Sequence, residues 1–106
     1  MDNEWIKAAS VSEVEADGTF GAEVDGQEIC LYNLGDEIYA TDGKCTHGDA
    51  YLAQGFIIDG GLIECPLHEG TFDIKTGAAT GAPCSVALKC HNVKVADGVI
   101  YIRLDR

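Results

Sequence analysis

Two short motifs carry the residue types most suited to chemistry, Cys45-Thr46-His47 and Cys65-Pro66-Leu67-His68, with seventeen residues between them. Thiolate and imidazole are ligands that iron and zinc favour, so Cys45, His47, Cys65 and His68 together point to a metal site. Zinc sites of the finger type group cysteine with cysteine and histidine with histidine, whereas here each motif supplies one of each. That mixed pairing suits two metal atoms, with each motif reaching across both. A structural zinc ion held by the same four residues is the competing chemistry.

The remaining candidates are weaker. Cys30 lies in an apolar run and reads as a small buried thiol. Cys84 follows Pro83 and falls near the proposed site, yet four ligands already complete two metals, so packing is its expected role. Cys90 and His91 are adjacent but lack a second pair at ligand spacing, and both read as incidental. Glu64 and Glu69 flank the second motif and suit an acidic rim better than acid–base catalysis. No G-x-G-x-x-G follows a strand, and there is no G-x-x-x-x-G-K-[ST] and no serine nucleophile motif, so nucleotide-dependent and hydrolytic chemistry have no support.

Such ligands need a rigid frame. Turn dipeptides recur at short intervals, at Asp17-Gly18, Asp25-Gly26, Gly35-Asp36, Asp42-Gly43, Asp59-Gly60-Gly61, Thr76-Gly77 and Asp97-Gly98. With short apolar runs between them, this spacing predicts an all-β antiparallel sandwich or barrel. Strands are expected at 19–24, 28–34, 37–41, 56–59, 62–65, 71–74, 92–95 and 99–104, many rich in Val, Ile, Tyr and Phe. Tight hairpins are expected at Asp25-Gly26, Asp59-Gly60-Gly61 and Asp97-Gly98, where Asp and Gly accept positive φ. Helical signal is confined to a turn or so at 10–14 and at 49–53. The 106 residues suit one domain, 1–106, and both ligand motifs fall where the strand pattern lapses. Trp5, Tyr32, Tyr39 and Tyr101 read as core or cross-strand residues rather than electron conduits.

Cys45-Thr46-His47-Gly48 with Cys65-Pro66-Leu67-His68-Glu69-Gly70 resembles the Rieske signature, in which one iron of a [2Fe–2S] cluster takes two thiolates and the other two imidazoles. The sequence is most similar to the ferredoxin components of bacterial aromatic-ring-hydroxylating dioxygenases. The likeness extends through residues 38–42, Thr71-Phe72-Asp73, Thr76-Gly77 and Pro83. It implies an antiparallel β fold with a small cluster-binding subdomain at about 43–84, one [2Fe–2S] cluster on Cys45, His47, Cys65 and His68, and a third loop containing Pro83 that shields it. Respiratory Rieske proteins carry an extra cysteine in each ligand loop, joined as a disulfide. Here Asp49 or Ala50 and Leu67 take those places. Their serine and tyrosine donors to the cluster sulfurs are replaced by Gly70 and Phe72, which have no hydroxyl. Fewer donors destabilise the reduced state, so the potential should lie near the lower end of the roughly −150 to +300 mV Rieske range.

Once the cluster is built only His91 remains, too few histidines for the two-histidine, one-carboxylate iron site of an oxygenase. The resemblance therefore implies a one-electron carrier, not itself an enzyme. It would run between an NAD(P)H-dependent ferredoxin reductase and a terminal oxygenase, with His47 and His68 as the port. The small subunit of an assimilatory nitrite reductase, or a donor to another oxygenase, is the alternative within the same chemistry. Eighteen Asp and Glu against seven Lys and Arg give a formal net charge of −11, which disfavours nucleic acid and anionic membranes. It suits basic protein partners docking on Asp49, Glu64 and Glu69 near the two histidines. No run of about 18 apolar residues occurs and the N-terminus is acidic, so a soluble, cytoplasmic protein is expected. A monomer is the expected state.

Overall fold

Alternating apolar runs and aspartate–glycine turns build two antiparallel sheets. The computed structural model describes residues 4–46, 48–67, 70–82, 84 and 86–104. Its strands are β1 (Ile6–Ser10), β2 (Thr19–Val24), β3 (Gln27–Leu34), β4 (Glu37–Asp42), β5 (Phe56–Ile58), β6 (Leu62–Glu64), β7 (Thr71–Asp73), β8 (Ala79–Gly81), β9 (Cys90–Ala96) and β10 (Val99–Arg103). The larger sheet runs β1-β10-β9-β4-β3-β2, and its two edge strands pack on one another in a barrel-like closure. The smaller sheet runs β5-β6-β7-β8. No helix among the described residues is long and apolar enough to cross a membrane.

The three expected hairpins form with positive φ at Asp25 and Gly26, Asp59 and Gly60, and Asp97 and Gly98. Type I′ geometry demands that pair of left-handed residues, because only then does the turn match the twist of the strands. A fourth hairpin joins β3 to β4 through Gly35 and Asp36, at φ 53° and 71°. Its Gly-Asp order is the reverse of the other three and does not advertise itself as a hairpin. Two strands escape the sequence pattern. β1, Ile-Lys-Ala-Ala-Ser, has little β propensity and is a strand because it pairs with β10 across a bulge between Lys7 and Ala9. β8, Ala-Thr-Gly, is held by its partner β7. The expected helical turns are single 3-10 turns at Val11–Glu13 and Leu52–Gln54, the first tied by the Ser10 N–H donating to Glu13 Oε1 at 2.9 Å.

β3 divides the core. Ile29 and Leu31 point into the barrel with Val24, Ala40, Ile100 and Ile102, while Cys30, Tyr32 and Leu34 point out towards the smaller sheet. A strand buried on both faces reads as a continuous apolar run rather than an alternating one, which is what residues 29–32 show. Cys30 is fully buried, as expected of an inert thiol, and burial pushes it up to about 12. The aromatic residues hold strands together. Tyr32 faces Tyr39 in register and shares a 2.8 Å hydrogen bond with Thr41, Lys94 lies over the rings of Trp5 and Tyr101, and Arg103 lies over Trp5.

His91 is not incidental. β9 begins at Cys90, earlier than the apolar pattern suggests, because Cys90 and His91 pair with Thr41 and Ala40 of β4 and so join β1-β10-β9 to β4-β3-β2 in one sheet. The His91 side chain is 1% exposed, and its Nε2–H donates to Asp42 Oδ1 at 2.8 Å. A second donor, Gln27 Nε2, reaches the same oxygen at 2.8 Å. Adjacent strand residues face opposite sides, so Cys90 and His91 share no site. Cys90 turns instead towards the carbonyls of Ile74 and Lys75. Asp42→Ala removes the acceptor of both hydrogen bonds and should cost about 1–3 kcal/mol, read as a lower urea midpoint at unchanged slope.

Candidate metal centre

The two motifs lie in loops of the same construction. In the first, β4 ends at Asp42, Lys44 bridges to Tyr51, and the Cys45 N–H donates to the Ala50 carbonyl at 2.9 Å, closing residues 45–50. In the second, Glu64 pairs with Thr71 and the Cys65 N–H donates to the Gly70 carbonyl at 2.7 Å, closing residues 65–70. Each loop thus begins on a cysteine whose backbone is fixed by the loop's own last carbonyl. Both cysteines are buried, Cys45 at 4% and Cys65 at 0% exposure.

The loops meet. A Cβ placed on Gly48 would stand 2.9 Å from Leu67 Cδ2, so one loop rests on the other through a glycine and a leucine. None of the five cysteines is joined in a disulfide, and the apolar Leu67 contact stands where a cross-loop disulfide would otherwise be expected. The thiols of Cys45 and Cys65 come within hydrogen-bonding reach of each other. Burial pushes the Cys65 thiol up, with the neighbouring Cys45 adding to it, while the Leu67 N–H donating to Cys65 Sγ at 3.4 Å pulls the other way. That backbone donor would stabilise negative charge on the sulfur.

Cys84 joins them. It is 6% exposed and its amide donates to the Gly81 carbonyl at 3.0 Å. Its thiol hydrogen-bonds with Cys45, and burial followed by the charge of Cys45 pushes it up to about 11. Spacing from Cys65 gives no hint of this, because the approach is made by β7 and β8 turning the chain back over the second loop. The third stretch is also tied to the first loop, through Thr46 Oγ1 donating to the Val86 carbonyl at 2.6 Å. His47, His68, Glu69 and Pro83 lie outside the described residues.

Two buried sulfurs, each starting a loop that carries a histidine two or three residues further on, match the donor set of a [2Fe–2S] group with two thiolates and two imidazoles. Residues 4–92 match the family described as the Rieske [2Fe-2S] domain. The chain belongs to that family. Its cofactor is accordingly a Rieske-type [2Fe–2S] cluster, and the zinc alternative falls. Among Rieske proteins, the ferredoxin component of the naphthalene 1,2-dioxygenase system of Pseudomonas aeruginosa is 42% identical over 104 residues, 98% of this chain and 99% of that one. The solved ferredoxin of carbazole 1,9a-dioxygenase from Nocardioides aromaticivorans IC177 is 32% identical and superposes with a TM-score of 0.89, covering 95% of this chain and 98% of that chain. A chain in the complex of reduced oxygenase and oxidized ferredoxin in carbazole 1,9a-dioxygenase is 35% identical, with a TM-score of 0.85, and covers 95% of this chain and 94% of that one.

Around the Rieske loops the surface is mixed. Asp49 is 95% exposed in its side chain and pairs with Lys44 Nζ at 3.1 Å, so one of the three acidic rim candidates carries its own counter-charge. Glu64 is half-buried within β6. Two exposed apolar residues flank the first loop, Tyr51 at its closing bridge and Val86 over Thr46. Neither is legible in the sequence, because an isolated tyrosine or valine in a β protein carries no positional signal.

Proposed function

We propose that this chain is a soluble one-electron carrier of a multicomponent aromatic-ring dioxygenase system, accepting electrons from an NAD(P)H-dependent ferredoxin reductase and delivering them to the terminal oxygenase. The observation that carries the reading is the pair of matched loops that bring Cys45 and Cys65 together under cover, in a chain 42% identical to such a component over nearly its whole length. The cluster-binding unit is the smaller sheet with its flanking loops, about residues 43–84. Cys45, His47, Cys65 and His68 are its ligands.

The bound cluster supplies the one-electron couple. The chain's own residues do the rest: Cys45 and Cys65 hold it from the buried side, Leu67 N–H steadies charge on Cys65, and Leu52, Ile63 and Phe72 keep water from the sulfurs' rear. His47 and His68 form the edge through which electrons enter and leave, since a histidine bound through one ring nitrogen presents the other outward. Docking combines long-range attraction from a charge of −11 with short-range contact at Tyr51 and Val86. The protein works as a cytoplasmic monomer, and its charge keeps it from nucleic acid and anionic membranes.

Two measurements test this. The dithionite-reduced protein should give a paramagnetic resonance spectrum with the low average g value of mixed histidine and cysteine ligation. Its rate of electron delivery to a dioxygenase terminal component should fall at least several-fold between 0.01 M and 1 M ionic strength, as the Debye length shrinks from about 30 Å to about 3 Å. A rate indifferent to salt would rule out electrostatic steering, and a colourless zinc protein would overturn the whole reading.

A further inference from the structure

Gly70 and Cys84 form a fitted pair. A Cβ built on Gly70 would lie 2.3 Å from Cys84 Sγ and 3.1 Å from Cys84 N, so the sulfur occupies the space that a side chain at position 70 would need. Gly70 is also the residue whose carbonyl holds the Cys65 amide. The Cys84 thiol is thereby pressed against the end of the second ligand loop, buried, beside both cysteines that begin the two loops. Of the two, Cys45 is its hydrogen-bond partner.

We propose that Cys84 tunes the redox potential of the centre by donating a hydrogen bond from its thiol to the sulfur of Cys45. A protonated thiol is a weak donor, and a free cysteine is protonated at neutral pH. Gaining an electron makes the iron-bound sulfurs more negative, so a donor to one of them favours the reduced state and raises the potential. Position 70 has no hydroxyl, and the space above it is filled from a different loop by a group that can donate in its stead. The effect opposes, in part, the lowering expected from Gly70 and Phe72. Cys84 is a positioning residue in this scheme, acting on the cluster only through Cys45.

The inference rests on Cys45 being a cluster ligand, and the test separates the two. Holoprotein carrying Cys84→Val, which fills the space without a donor, should keep two irons per chain and an unchanged g pattern. Its midpoint potential should fall by an amount equal to a three- to tenfold change in the reduced-to-oxidised ratio at fixed poise, about 30–60 mV for one electron. Cys84→Ser, which retains a donor, should hold or exceed the wild-type potential. If valine alone prevents cluster assembly, Cys84→Ala removes the sulfur without adding volume and is read in the same way. A full cluster at the wild-type potential in the valine or alanine protein overturns the proposal. So does an equal fall in the serine and valine proteins, which would mean packing rather than donation. Failure of the ligand assignment would appear differently, as Cys45→Ser retaining its iron.

Discussion

Cys65→Ala should yield a colourless protein, without iron–sulfur absorption and without a resonance signal after dithionite, while Cys90→Ser keeps two irons per chain. Both residues are cysteines near a strand end, and the difference lies in their surroundings. Cys65 is fully buried, its amide is locked to the Gly70 carbonyl at 2.7 Å, and its sulfur receives the Leu67 amide and neighbours Cys45. With Cys65 as the proposed ligand, removing it takes away one of the two thiolates of one iron, and no other described sulfur occupies that position. Cys90 starts β9, is half-buried, and its sulfur lies against the carbonyls of Ile74 and Lys75. Because metal binding adds to folding free energy, the Cys65 variant should also melt earlier than the holoprotein. Iron content and the visible spectrum decide the matter. Retention of two irons by Cys65→Ala would remove Cys65 from the ligand set.

The second large effect is structural. Gly77→Ala should destabilise the protein by about 2–5 kcal/mol, whereas Gly98→Ala should cost about 1–2 kcal/mol, although their φ values are nearly the same, +81° and +77°. The left-handed strain of an alanine is common to both. What differs is space: nothing lies within 4 Å of a Cβ at Gly98, but one at Gly77 would stand 2.2 Å from the Leu88 carbonyl oxygen. Backbone cannot swing aside as a side chain can, and overpacking adds its own roughly 1–3 kcal/mol. Gly77 also receives the Leu88 amide on its carbonyl at 2.7 Å, while its own amide donates to Asp73 at 2.7 Å. These bonds pin the return of the chain beneath the stretch that carries Cys84, so the Gly77 variant should bind its cluster less firmly as well. Urea midpoints of the two holoproteins measure the difference. Equal midpoints would mean that the Leu88 contact yields without cost.

The strand scaffold was largely written in local chemistry. Apolar runs separated by aspartate–glycine turns name eight of the ten strands among the described residues and three of the four hairpins whose turns carry two left-handed residues, a conformation few side chains tolerate. The two strands that were not legible, β1 and β8, have neither β-branched enrichment nor alternation; partners distant in the chain make them strands. The donor set is likewise local, since Cys45, His47, Cys65 and His68 sit within two motifs whose composition alone suggests iron or zinc.

Tertiary structure decided everything that depends on approach between segments far apart in sequence. Burial of His91 against Asp42, 49 residues away, turned an apparently idle histidine into the fastening of β9 on β4. The Gly48 and Leu67 contact determined how one ligand loop rests on the other. The placing of Cys84 over Gly70 depends on the β7 to β8 return, and no periodicity or spacing encodes a fit of sulfur into the space left by a missing side chain. Which atoms are able to bind iron is a matter of residue type, and a sequence states that directly. The tuning of that iron is a matter of which atoms come to lie beside the ligands, and only packing determines it.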